Sequence, residues 1–363
     1  MAKRNLNVEI GNYNPRGSKL GNNFMKKMKS YPFLIEYANN EANGLDVQLR
    51  GDSINIYYQG GSLIRLSGTQ GCEFDKNYFY LPEKGDLRMT DIERLCHSNY
   101  RVKKEESRAL RNLKNETLME LRQQAIQIHN DIIGKRDALV CRLKGCDSLE
   151  SVGIVVEEMK RTMDQWKERL VDNRIRKEVV GERTVQHYIS LHNKKFGEQT
   201  DFVVLDIEYA ISTNASYAKE FEREKQPRID ILAIEKDTGQ IYTMELKYGM
   251  KSVGGEASAK KHYDDYLMTV EEDSKWRSFL SDINILLKAK QDYGIISKDL
   301  TIKDSKPIFA FIMKKEIESD EEAFKNHLQE TGLSHIPTLY LPVENDYKKP
   351  SIDGHKLSKD FIK

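Results

Sequence analysis

The sequence predicts an α/β chain of the α+β type, with a β-rich amino-terminal domain, a helical connector and a mixed β-sheet flanked by helices. Three observations predict it: strand-like runs separated by glycine turns at the beginning, two long helical repeats in the middle, and strands alternating with helices in the second half. A chain of 363 residues can hold two domains, or one domain with a large appendage. We therefore assign residues 1–89 to the β-rich domain, 90–172 to the connector and 173–363 to the mixed-sheet domain.

The composition limits the classes of partner. Lys and Arg number 58 and Asp and Glu number 57, so any surface for nucleic acid must be a local patch. Met1–Asn14 has no apolar h-region and no stretch is long enough to span a bilayer, so we expect a cytoplasmic protein with no membrane partner. Four cysteines do not make a disulfide framework, and reduced thiols are expected. A zinc site built from Cys141, Cys146 and Cys96-His97 lacks a standard spacing and is the less favoured alternative.

The β-rich domain is predicted from strand-like runs separated by Gly51-Asp52 and Gly60-Gly61, which can take positive φ in hairpin turns. Polar residues such as Gln48 and Arg50 alternate with apolar ones and are expected on the exposed face of a half-buried sheet, although a binding role stays open. The predicted three-stranded meander comprises Leu45–Arg50, Ile54–Gln59 and Ser62–Ser67.

The connector is predicted from a capping-box pattern at Thr90-Asp91-Ile92-Glu93 and from two runs of apolar residues at helical spacing. The first run begins at Leu118 and the second at Val152, and the two helices are expected to pack as an antiparallel pair. Solvated outer faces are the usual role of their charges, while an arm that contacts DNA or a second copy of the chain stays open.

The second half predicts the order α-β-β-β-α-β with further elements. The elements are a helix over 174–193, strands over 202–211, 228–234 and 240–248, helices over 256–270 and up to 291, a strand over 307–313, a helix over 320–330 and a strand over 338–342.

One predicted hairpin carries charge on otherwise apolar strands. Alternation along the second strand places Glu245 and Lys247 on one face, beside Asp230 of the first strand. Buried charges need a partner or a metal ion, and two converging carboxylates form the hard oxygen site that Mg²⁺ prefers. Lys247 is then placed to orient or deprotonate the water that attacks a phosphate. From these three residues alone, a surface salt bridge is the more favoured interpretation.

The preceding helix changes that balance. On a helical wheel Glu182 falls at the centre of the apolar stripe formed by Val179, Val185 and Ile189, which is anomalous for a carboxylate. A third acid aimed at the sheet would serve a metal site, while a structural carboxylate paired with an arginine is the alternative. Glu178 and Gln186, one turn away on either side, are substitutes for this role.

Together these features make residues 174–345, about half the chain, resemble the PD-(D/E)xK nuclease superfamily with its restriction-endonuclease-like core. The resemblance implies that Asp230 and Glu245 ligate Mg²⁺ with help from the Leu246 carbonyl, that Glu182 is the acid carried on the helix, and that Lys247 is catalytic. Mn²⁺ is expected to substitute for Mg²⁺. Ile229 stands where many members have a proline, which weakens the resemblance only slightly.

Residues around the hairpin extend the predicted site. Lys260, Lys261 and His262 lie on the following helix and are candidates for contact with nucleic-acid phosphates. His262 alternatively helps to position water, although a lone histidine on a helix is more often structural. Members similar to RecB-type nucleases carry a glutamine and a tyrosine on this helix, and here the glutamine is missing. Asp206 and Glu208 either approach the site as extra acids or lie on the polar face of an edge strand.

The expected function is a metal-dependent endo- or exonuclease acting on DNA, with RNA as a substrate and a homodimer left open. Restriction or phage defence is implied by the resemblance alone. A nuclease-like module that has lost catalysis and binds nucleic acid or a partner protein is the alternative. A third hypothesis, regulation through the β-rich domain, has no glycine-rich phosphate loop in that domain to support a nucleotide ligand.

Overall fold

The computed structural model describes residues 29–31, 33–50, 53–68, 71–80, 89–96, 115–172, 181–194, 200–211, 228–254, 258–343 and 354–362. Contacts divide the chain into two compact units. The first contains Ala38–Gly61 and Val180–Lys363, and the second contains Lys26–Tyr37 and Ser62–Val179. The predicted boundaries near residues 89 and 172 border on segments outside the described ranges, so the division into three domains stays a prediction.

The amino-terminal strands form a four-stranded antiparallel sheet in the order β1-β2-β3-β4. It contains the three predicted strands, and a fourth strand pairs with β3. Positive φ falls on Gln59 (45°) and Gly60 (82°), so the turn before β3 begins one residue earlier than predicted. Gly51-Asp52 lies outside the described residues. The strands are β1 Asp46–Arg50, β2 Ser53–Tyr58, β3 Gly61–Ser67 and β4 Gly71–Phe74.

The helical segment contains two long helices in the second unit, as predicted. Their buried faces include Ala125 and Ile132 from one helix and Val156 and Met159 from the other, at the apolar positions of the two repeats. Within the described residues the α-helices up to this point are α1 Leu34–Asn39, α2 Met89–Cys96, α3 Asn115–Lys144 and α4 Leu149–Asp172.

The second half forms a five-stranded mixed sheet in the order β5-β6-β7-β8-β9, with helices, and the predicted order of elements is found. The first three strands pair antiparallel, and β8 and β9 continue the sheet in parallel. The strands are β5 Phe202–Ala210, β6 Arg228–Glu235, β7 Ile241–Tyr248, β8 Ile308–Lys314 and β9 Thr338–Leu341. The helices are α5 Glu182–His192, α6 Ala259–Val270, α7 Asp273–Asp292 and α8 Asp320–Glu330.

Helices cover both faces of this sheet, which fixes the direction of the hairpin charges. Met244 and Leu246 of β7 pack in one core with Val185 and Ile189 of α5. Residues of β8 that alternate with that core pack instead with α6 and α8. Glu245 and Lys247 lie beside Phe311 and Met313 in the parallel register of β7 and β8. Side chains alternate across a strand, so both charges project to the α6 face.

Helix α5 begins at Glu182, so the prediction of one helix across this position was wrong. Gly181 precedes it with extended backbone (φ −97°, ψ 177°), and residues 173–180, including Glu178, lie outside the described ranges. Glycine is a poor residue for a helix interior, and an acid in the first turn is favoured by the helix dipole. Apolar periodicity alone could not detect this start.

The polar residues of β1 are buried, which corrects their predicted exposure. Gln48 is fully buried, donates to Ser190 Oγ at 2.9 Å and accepts from Lys290 Nζ at 2.7 Å. Arg50 donates to the Asp206 carboxylate at 2.5 Å. Buried polar groups need such partners, so these bonds attach β1 to β5, α5 and α7 within the first unit.

No helix in the described part of the chain is long and apolar enough to cross a membrane. The four cysteines are free of disulfides. His97 of the alternative zinc site lies outside the described residues.

Candidate active site

Strands β6 and β7 separate where the predicted catalytic residues lie. Their pairing runs from Ile234↔Ile241 to Ile231↔Met244. Asp230 precedes Ile231 on β6, and its carboxylate accepts a hydrogen bond of 3.0 Å from the Leu246 N–H. An aspartate side chain thus replaces a backbone acceptor, and the two strands form a fork at this point.

The same bond fixes the direction of the Leu246 carbonyl. The N–H and C=O groups of one residue in a strand point to the same side. Since the Leu246 N–H points toward Asp230, its carbonyl also points into the fork. This direction agrees with the predicted role of that carbonyl as a metal ligand.

Glu245 and Lys247 form a buried ion pair on β7. Lys247 Nζ lies 2.8 Å from Glu245 Oε1, and the two side chains are 2% and 4% exposed, respectively. The alternative of a salt bridge on an exposed hairpin does not describe a pair at this depth. Removing two charges from water is costly, so their position requires compensation by each other and by neighbouring groups.

His262, the fourth residue of α6, contacts the same carboxylate. Its Nε2 lies 3.1 Å from Glu245 Oε1, which therefore has both Lys247 and His262 as neighbours. Ser258 caps this helix by accepting from the Lys261 N–H. The sequence singled out His262 for phosphate contact, whereas the structure places it where it orients Glu245.

Burial raises the pKa of both acids of the fork. Burial, and after it the charge of Asp230, holds the pKa of Glu245 well above its ordinary value, although Lys247 opposes the shift. Burial also raises the pKa of Asp230, against the Leu246 N–H bond and the Lys247 charge. Like charges in a poorly hydrated site disfavour simultaneous ionisation, so the metal-free fork tends to retain a proton.

Glu182 belongs to the same electrostatic cluster. Burial first, then the charge of Asp230, raises the pKa of Glu182 to about 7, while Lys247 acts in the opposite direction. The start of α5 therefore brings this half-buried acid close to the fork, although the helix pattern that predicted it was wrong. The substitute Gln186 is buried, and its Oε1 has no hydrogen-bond partner within the described residues.

The two acids of β5 differ in their surroundings. Asp206 is buried and forms a structural ion pair with Arg50. Glu208 has a positive φ of 46° and contacts two arginines, Arg183 Nε and Arg228 Nη1, at 3.3 Å each. Its charge also raises the pKa of Glu182 and Asp230, so Glu208, and not Asp206, approaches the fork.

Arg183 and Arg228 were missed by the sequence prediction. The available signal was their position, since Arg183 follows Glu182 and Arg228 precedes Asp230 by two residues. Of the predicted phosphate contacts, Lys260 is half exposed and pairs with Asp264 at 2.5 Å, and Lys261 follows it in the first turn of α6. Their contact with nucleic acid stays a prediction.

A small cavity adjoins Glu245 on the α6 side. It has a volume of about 20 Å³ and is lined by Thr243, Asp265 and His262 among other residues. Thr243 Oγ1 is buried and lacks a hydrogen-bond partner within the described residues. Most of the lining is apolar, and these polar groups lie at one part of it beside Glu245.

The metal-binding capacity of the fork rests on few ligands. Within the described residues, no group of three or more His, Cys, Asp or Glu side chains is arranged to hold a metal ion. The fork offers two carboxylates, Asp230 and Glu245, and one carbonyl, Leu246. Mg²⁺ is commonly held by one or two carboxylates and completes its shell with water and substrate oxygens, so this donor set fits it.

Comparisons with family models, with curated proteins and with solved structures found no match to this chain.

Proposed function

We propose that the protein is a Mg²⁺-dependent nuclease that hydrolyses phosphodiester bonds of DNA. The observation that carries the proposal is the fork, where Asp230, Glu245, Lys247 and the Leu246 carbonyl converge on one point of the sheet. The resemblance to PD-(D/E)xK nucleases, the Mn²⁺ substitution and a role in restriction or phage defence belong to the same proposal.

The electrostatics of the fork support a divalent cation. Crowded acids whose pKa values are raised by burial are relieved by a positive ion in their midst. Asp230, Glu245 and the Leu246 carbonyl would hold it, and Glu182 would be the further acid of the set. Mg²⁺ supplies charge neutralisation on a phosphate and an acidified water ligand.

The chain's own residues would then divide the work. The Leu246 N–H fixes Asp230, and His262 together with Lys247 fixes Glu245. Lys247, held 2.8 Å from that carboxylate, is placed to hold or move a proton of the attacking water and to donate to the phosphate oxygens. The buried ion pair keeps the ammonium aimed at the reacting group.

The alternative is a nuclease-like module that binds nucleic acid or a partner protein without cleaving. The lack of a three-residue metal cluster within the described ranges favours it. The pairing of Lys247 with Glu245 beside Asp230 favours the enzyme, because burial of this charge set has no evident value for binding alone.

Partners and location are part of the proposal. DNA is the proposed partner, with RNA tested beside it, and a homodimer would place two such sites on two strands. Free cysteines agree with a reducing cytoplasm, the proposed location.

Incubation of supercoiled plasmid, linear DNA and RNA with Mg²⁺ or Mn²⁺ tests the activity. We expect cleavage by the unmodified chain, loss of cleavage in EDTA and in Lys247→Ala, and retention in Lys325→Ala, which removes an exposed lysine of α8. Absence of metal-dependent cleavage of all three substrates would overturn the proposal and favour the binding module.

A further inference from the structure

The surface beside the fork carries two exposed arginines attached to one carboxylate. Arg183 and Arg228 are 74% and 58% exposed, and both contact Glu208, which is 31% exposed. Each contact is 3.3 Å long, one to Oε1 and the other to Oε2. The cluster therefore contains two cations and one anion, and its excess charge is positive.

Glu208 occupies its place at a conformational cost. Its φ of 46° lies in the left-handed region that residues with a side chain rarely adopt. The pairing of β5 with β6 also shifts register between Val204 and Asp206, just before this residue. Such irregularities concentrate at functional sites, where surrounding contacts maintain them. Here the irregular backbone accompanies a carboxylate that reaches both arginines.

The two arginines lie together beside the candidate catalytic residues, since both contact one carboxylate. Arg183 follows Glu182 in the first turn of α5. Arg228 begins β6, two residues before Asp230, and lines the cavity shared by Glu245 and His262. Phosphate oxygens next to the fork would therefore meet both guanidinium groups.

The chemistry of guanidinium suits this position. Each group carries five N–H donors in a planar arrangement that matches phosphate oxygens. One nitrogen of each group lies 3.3 Å from Glu208. A pair of exposed arginines ordinarily loses side-chain entropy on binding a ligand, and a shared carboxylate reduces that loss by holding both in place.

We propose that Arg183 and Arg228, positioned by Glu208, form a phosphate clamp that binds the phosphodiester backbone beside the fork. The clamp rests on the proposed nuclease function, because it names the part of the same site that holds the substrate. Its ligand is the sugar-phosphate backbone, so it acts without regard to base sequence.

Fluorescence anisotropy of labelled DNA and RNA duplexes tests the clamp. The full chain is titrated in EDTA, which prevents metal-dependent cleavage, over a series of salt concentrations. We expect Arg183→Gln and Arg228→Gln each to weaken binding about three- to tenfold at low salt, and to lower the slope of log affinity against log salt by about one. The double variant should lose about two from the slope.

Two sets of variants control the test. Arg142→Gln removes an arginine of α3 that is 48% exposed and pairs with Glu158 at 2.6 Å, and it should bind as the unmodified chain does. Arg183→Lys and Arg228→Lys keep the positive charge and should keep most of the slope, which a purely structural loss would not allow. Circular dichroism melting of every variant reports folding.

The outcomes separate the clamp from the nuclease. Unchanged affinity and slope in the folded double variant would overturn the clamp, and so would absence of binding of both polymers by the unmodified chain. Weakened binding in the arginine variants of a chain that cleaves nothing would overturn the nuclease and leave the clamp standing. Cleavage by a chain whose binding ignores both arginines would do the reverse.

Discussion

Lys247 combines a buried structural contact with its proposed role in catalysis. Its ammonium is buried against Glu245, and His262 contacts the same carboxylate oxygen from α6. A buried ion pair is weak evidence of stabilisation as a whole, yet removal of one partner leaves an uncompensated charge. Variants of this pair should therefore separate the loss of catalysis from the loss of folding stability.

Replacement of Lys247 by methionine should abolish cleavage and reduce the free energy of unfolding by about 3 to 5 kcal/mol. Adding Glu245→Gln removes the unpaired carboxylate and should recover about 1 to 3 kcal/mol of that loss without restoring cleavage. Urea unfolding in EDTA measures the stability of each variant, and plasmid cleavage measures its activity. Lys194→Met, which breaks the buried pair with Asp46 in the same unit, should lower stability while the folded fraction still cleaves. A double variant no more stable than Lys247→Met would contradict this account of the pair.

The acid Glu182 gives the metal-free protein a pH dependence of defined sign. Its pKa is about 7 in the folded chain against an ordinary 4.5, so the folded state binds more protons than the unfolded state between these values. Stability contributed by the protonated form is therefore fully present below pH 4.5 and is lost as the pH rises to about 7.

Urea unfolding in EDTA across this pH range measures the effect. The unmodified chain should become less stable as the pH rises, and Glu182→Gln should reduce that fall, because an amide does not titrate. Glu318→Gln is the control, because Glu318 follows β8 in the sequence and its side chain is 78% exposed. This variant should show the same pH profile as the unmodified chain. Equal pH profiles for Glu182→Gln and the unmodified chain would show that Glu182 is not held in this environment.

At the scale of elements, the strands were more predictable than the helix that accompanies them. Alternation placed Glu245 and Lys247 on one face of β7, and the structure agrees. The start of α5 was not predicted. The periodic apolar pattern runs through Gly181, whereas the backbone at Gly181 is extended. The burial of Gln48 was equally hidden, since its partner Ser190 lies 142 residues away in sequence.

The turn between β2 and β3 is predicted to control the start of α5. A Cβ atom on Gly60 would lie 2.5 Å from Thr184 Oγ1 and 2.8 Å from Thr184 Cα, next to Glu182 and Arg183. We expect Gly60→Ala to destabilise the chain by about 1 to 3 kcal/mol, through overpacking and its positive φ, and to lower cleavage.

Gly71→Ala is the matched control for the turn. Thermal unfolding and plasmid cleavage are measured for both alanine variants. Gly71 has nearly the same φ of 85°, but an added Cβ there would meet nothing within 4 Å. Its substitution should therefore show only the backbone cost and keep full cleavage. Equal losses in the two alanine variants would mean that the contact with Thr184 has no role at the site.

At the scale of the whole molecule, the candidate catalytic residues lie in one of the two compact units. The first unit joins β1 and β2 to the five-stranded sheet and carries every residue of the fork. This joining could not be read from the sequence, because Arg50 and its partner Asp206 are 156 residues apart. The order of elements in the second half was predictable, since each element has its own local pattern. With a net charge of +1, the chain depends on local groups to attract a polyanion.

Calorimetric titration of the full chain with Mn²⁺ is the most direct test that the fork is a metal site. The account predicts binding by the unmodified chain, loss of that binding in Asp230→Ala and in Glu245→Ala, and retention in Glu318→Ala. Binding that survives both substitutions in the fork would contradict it.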